Sequence, residues 1–160
     1  MTTQKDQMEE RQKLLDEYEK SLGLPINTPP GEEEELQFYL DMNRTAIEAL
    51  DASTSASISV RLSQFAFYFQ RAINRERSIK TWANEQLSFI TAEEVLQLDK
   101  YTPNKIALIC KHNKAADELR RIALYAQQRI ERLEELAAGL KSIGYVISLV
   151  CKAKIGERYE

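Results

Sequence analysis

The stretch from Ile109 to Cys151 reads ICKHNKAADELRRIALYAQQRIERLEELAAGLKSIGYVISLVC. Within it Ile109, Ala116, Ala123, Ile130, Ala137, Gly144 and Cys151 recur every seven residues. His112, Leu119, Ala126, Leu133, Leu140 and Ile147 fall three positions after them. Alternating steps of three and four keep side chains on one face of an α-helix. Thr102-Pro103 stands in front as a start signal, a capping threonine followed by proline at the first helical position. The spacing therefore predicts one helix over 103–155. Ile122, Leu136, Ile143 and Val150 widen its apolar stripe beyond what a single helical neighbour covers. Part of that face is expected to pack within the chain. The rest, centred on Leu119, Ile130, Leu133, Leu140 and Ile147, is expected to meet other copies.

The same period continues upstream. Ile58, Leu62, Phe65, Phe69, Ala72, Glu76, Ile79 and Ala83 form a seam that predicts a helix over about 58–90. Asp51-Ala-Ser-Thr-Ser-Ala-Ser57 reads as a break, rich in residues that cap helices. Thr91-Ala-Glu-Glu94 has the form of a capping box that opens a short helix to about Asp99. Glu32–Glu35 place four carboxylates at a helix start, where the dipole favours them. Leu36, Tyr39, Leu40, Ile47 and Leu50 are that helix's apolar positions. Leu22-Gly-Leu-Pro-Ile-Asn-Thr-Pro-Pro-Gly31 cannot be helix interior. Residues 1–31 are thus expected to be a charged, partly helical arm and linker, with Leu14, Leu15, Tyr18 and Leu22 as its apolar side. Residues 32–160 are expected to be a helical oligomerising domain. No segment reads as a strand. The fold class is all-α: long amphipathic helices in an antiparallel bundle, self-associating through the C-terminal heptad helix.

The 160 residues are enough for about one domain with a core of its own. The net charge of −3 hides a gradient. Residues 1–50 hold 5 Lys/Arg against 12 Asp/Glu, and residues 101–160 hold 11 against 7. One histidine, His112, rules out a His-based triad or a multi-His metal site within one chain. No glycine pattern cradles a phosphate. Cys110 and Cys151 are 41 residues apart, which is neither redox nor zinc spacing. The chain is expected to be no enzyme and to use no cofactor or metal. No uninterrupted apolar run approaches the ~18 residues of a membrane span, and the N-terminus lacks a signal-type apolar segment. A soluble cytoplasmic protein is expected.

The feature that points to binding lies on the 58–90 helix. Arg61, Gln64, Tyr68, Arg71, Arg75, Ser78 and Trp82 form a second stripe off the apolar seam, with Arg77 and Lys80 nearby. Cations for phosphates and flat groups for unstacked bases are what single-stranded nucleic acid requires. The competing reading puts Tyr68 and Trp82 in the core and pairs the arginines with Glu76, Glu85 or another subunit's acids. Lys111, Lys114, Arg120, Arg121, Lys141, Lys152 and Lys154 form a second basic set.

Leu133-Glu-Glu-Leu136-Ala-Ala followed by Leu140-Lys-Ser-Ile-Gly-Tyr-Val-Ile147 resembles the closing helix of the T-even phage recombination mediators, the UvsY family. Glu33-Glu-Glu-Leu36-Gln-Phe-Tyr-Leu40 and the aromatic helix around Phe65–Phe69 extend the likeness over about residues 32–155. Family members carry a basic, tyrosine-rich block where Glu85–Asp99 is acidic here. The resemblance implies an all-helical, ring-forming homo-oligomer that binds single-stranded DNA. It further implies help in loading a recombinase onto strands covered by a single-strand-binding protein, without cofactor or covalent catalysis. A helical structural or adaptor protein of virion-assembly or scaffold type, binding only proteins, is the alternative.

Overall fold

The computed structural model describes residues 3–23 and 28–156. It is 84% helical, with no strand among the described residues. The helices are α1 (Gln4–Ser21), α2 (Glu33–Leu40), α3 (Arg44–Ala49), α4 (Ala52–Gln97), α5 (Lys105–Ile109) and α6 (Lys114–Gly156). Pro25, which the linker reading used, lies outside the described residues.

Two compact units divide the chain, and α4 and α6 each contribute to both. One unit gathers α1 with residues 74–130. The other gathers α2, α3 and the rest of α4 up to Ile73 with α6 from Glu131 onward.

In the unit that holds α1, Trp82, Ala83 and Leu87 of α4 pack with Ile109, Cys110, Ala116, Leu119 and Ala123. The helices run antiparallel there: Lys80 meets Gln127, Glu76 meets Arg129, and Glu94 meets Asn113, so numbers fall along one helix as they rise along the other. In the second unit Leu62, Phe65, Phe69 and Ile73 of α4 are buried, as are Ala137, Leu140 and Ile147 of α6 and Tyr39 and Ile47 from the short helices. Tyr39 and Phe65 meet edge to face at 6.2 Å.

Several boundaries differ from the expected ones, each for a local reason. The capping-rich stretch 51–57 is the opening of α4 rather than a gap. The Asp51 carboxylate accepts from the Thr54 backbone N–H at 2.9 Å and from its hydroxyl at 2.7 Å. Those bonds hold the Asp51 carboxyl below the usual carboxylate range. Thr91 opens no new helix. It is buried inside α4, and its hydroxyl donates back to the Leu87 carbonyl at 2.8 Å.

The long C-terminal helix likewise begins later than Pro103. Asn104 adopts the left-handed conformation at φ 51°, which asparagine tolerates, and only the single turn of α5 follows. Asn113 then caps α6 by accepting from the Ala116 N–H at 3.1 Å. The glutamate of the expected capping box has another task. Glu94 accepts from the Asn113 amide at 3.0 Å and lies 3.2 Å from His112 Nε2, tying the end of α4 to the start of α6. His112 is therefore an exposed surface partner, not a seam residue.

The first helix after the linker is also interrupted. Asp41–Asn43 separates α2 from α3, and Asn43 caps α3 by accepting from Ala46 at 2.9 Å. Lys154 of α6 closes the other end of α3, donating to the Glu48 carbonyl at 2.6 Å and to the Leu50 carbonyl.

Candidate nucleic-acid interface

The arginine and aromatic stripe of α4 is mostly taken up by the chain itself. In the second unit, Arg61 donates to both oxygens of Glu35, at 2.7 and 2.9 Å, and to Gln64 at 3.1 Å. Its guanidinium also lies 5.8 Å from the Phe65 ring centre. The Glu35 carboxyl, which Tyr39 also bonds at 2.8 Å, is held below its usual range first by Arg61 and then by Tyr39. Tyr68 is half-buried, edge to face with Phe69 at 5.3 Å, and Arg71 is half-buried and engaged.

In the unit with α1, Arg75 pairs with Asp16, and Lys80 donates to Gln127 at 2.7 Å. Trp82 is only 6% exposed, within the core. Arg77 is exposed and also engaged. The stripe is thus split between two units and offers no open run of free cations.

The basic surface lies elsewhere. Residues 100–130 hold seven Lys/Arg against two Asp/Glu. Burial of Ala116, Leu119, Ala123 and Ala126 turns the opposite face of α6 outward, with Lys114, Arg121, Tyr125 and Arg129 on it. Tyr125 is 53% exposed and stands four residues from an arginine on either side. Arg121 pairs with Asp117 at 2.8 Å and Arg129 with Glu76 at 2.9 Å. Arg121 stays largely open to solvent, where such a pair is screened and exchanges readily, whereas Arg129, about half exposed, is held by a Glu76 carboxylate that is only 18% exposed. The exposed Tyr101 and Lys111 lie in the same basic segment. Sequence reasoning singled out Arg121 and Lys114 but missed Tyr125 and Arg129, although their four-residue spacing is the same signal it used on α4.

The residues expected to join subunits also need correcting. Leu119, Ile130, Leu140 and Ile147 are buried by the chain's own packing, and Leu133 is half-buried. The heptad seam is an internal core. What remains outside is a groove of about 610 Å³ between α4 and α6 in the second unit. Small residues line it: Ser59, Ser63 and Ala66 on one side, Gly144 and Ser148 on the other. Phe67 and Tyr145 stand at its edges, 65% and 66% exposed. An 18-residue window of α6 reaches a mean hydropathy of 1.4 with only 17% of it buried. Counting uninterrupted apolar runs overlooked that window.

Cys110 and Cys151 are free, and burial pushes the Cys110 thiol up, away from the reactive thiolate. No cluster of three or more His, Cys, Asp or Glu among the described residues has the form of a metal site. Comparison with protein-family profiles, with curated proteins and with solved structures finds no match for this chain.

Proposed function

We propose that this chain is a non-catalytic, self-associating helical protein that binds single-stranded DNA through the outer face of α6. On the strength of its resemblance to the UvsY family, the role we assign is recombination mediation, helping a recombinase load onto strands held by a single-strand-binding protein. The observation that carries strand binding is Tyr125, exposed between Arg121 and Arg129 in a segment rich in cations. Arginines track phosphates, and a flat exposed ring accepts an unstacked base. The α4 stripe becomes a secondary contact, since Glu35, Asp16 and Gln127 already hold its cations.

Self-association is assigned to the groove, with a second copy as occupant. Groove and aromatic edges belong to one surface, so two copies can each supply the ring and the hole, as a twofold contact requires. Lys141 is the one charged residue among those lining it. The groove is also what favours the adaptor reading, because a partner's helix can lie in it. Binding of fluorescent oligothymidylate separates the two. A mediator binds it, and Tyr125→Ala and Arg121→Ala weaken that binding; an adaptor shows none at low salt.

A further inference from the structure

We propose that the α4 surface beneath α1, made by Arg75, Ser78, Ile79 and Trp82, is a second contact for single-stranded nucleic acid, which α1 occupies in the free protein and vacates when a strand arrives. The proposal builds on the strand-binding reading above and adds a gate to it.

The packing of α1 is slight. Gln4, Met8, Gln12, Leu15 and Glu19 form its inner face at helical spacing, and none of its residues is buried. Met8 leans on the cluster around Trp82. A void of about 20 Å³, room for roughly one water, lies between Met8, Leu15, Ile79 and Trp82. Asp16 pairs with Arg75, the aspartate more than half exposed, and Glu19 is engaged as well. Surface pairs of this kind add little, and an 18-residue helix is marginal without tertiary support. The capping box at Thr3 and Asp6 stabilises α1 as a helix without attaching it to anything. Such a segment belongs to the part of a protein that opens first.

What α1 presents to α4 matches what a nucleotide presents. The Asp16 carboxylate takes the place of a phosphate on Arg75, and the Met8 and Leu15 side chains take the place of a base against the indole of Trp82. With six acids and four bases, α1 is also repelled by a polyanion approaching the basic segment that follows. An incoming strand replaces both contacts and drives α1 off.

The lone tryptophan reports directly on this exchange. In the full-length protein, oligothymidylate should change Trp82 emission. Asp16→Arg, which sets a cation against Arg75, should shift that emission to longer wavelength without any strand. It should also tighten oligothymidylate binding about fivefold, the equivalent of one surface ion pair. Asp16→Asn should do the same to a smaller extent, with helix content unchanged in both. Adding Arg75→Ala to Asp16→Arg should remove the gain. If the parent binds strand with Trp82 emission unmoved and Asp16→Arg binds no tighter, the gate is wrong and strand binding through α6 stands. If neither protein binds strand at low salt, both fall.

Discussion

Arg61 shows why residue type alone did not reveal which cations stand open to solvent. Its position beside Tyr68 and Arg71 fits a phosphate contact, but Glu35 is 26 residues earlier and reaches it from α2. Periodicity describes one helix at a time and is blind to the acid that another element brings. The pairing has a pH signature. The folded state depresses the Glu35 carboxyl, chiefly through the Arg61 hydrogen bonds, so its stabilising effect is complete above the ordinary glutamate value of about 4.3. It is lost as pH falls through the lower folded value. Melting temperatures of the parent and Glu35→Gln should therefore differ at neutral pH and converge in acid. Curves that stay parallel down to the acid limit contradict a folded-state pair. The same blindness explains Arg75, whose partner Asp16 lies on the arm expected to stand apart.

At the scale of elements, the helical class and the identity of most core positions were legible, because a strict seam leaves few alternatives. Ile109, Ala116, Leu119, Ala123, Leu62, Phe65 and Phe69 are all buried as the spacing implies. Helix ends were less legible. Capping residues such as Thr91 sit equally well inside a helix when the hydroxyl can bond back to the preceding turn. Asp51 and Thr91 now make opposite predictions. Asp51→Ala should lower the melting temperature, since it removes the cap on the first turn of α4. Thr91→Val, a near-isostere at a buried mid-helix site, should change stability by less than about 1 kcal/mol. A destabilisation at Thr91 that matches or exceeds that at Asp51 would restore a helix boundary at 91. Both are read from thermal unfolding followed by circular dichroism.

At the scale of the whole molecule, the proposed reading gives α6 a part in both folding and association, and variants can separate the two. Leu119 is fully buried and lies outside the groove, so Leu119→Ala should cost about 2–5 kcal/mol of folding stability while the folded fraction keeps its assembled mass. A Cβ at Gly144 would meet only ordinary contact with Leu62, 3.8 Å away, and Gly144 lines the groove, so Gly144→Leu should fold and yet fill it. Together with Tyr145→Arg, it should shift the sedimentation profile toward 18.5 kDa at micromolar concentration. A profile unchanged by either substitution removes the groove from the assembly. The central claim, that the basic face of α6 holds single strands, is tested most directly by the salt dependence of oligothymidylate binding. For the parent, affinity should fall linearly in a log–log plot, and Arg121→Ala with Arg129→Ala should reduce the slope by about 0.7 for each phosphate no longer neutralised. Tyr125→Ala should weaken binding by roughly 1–3 kcal/mol with the slope unchanged. A parent that binds no strand at low salt, or an α6 triple variant that binds with the parent's affinity and slope, contradicts the account.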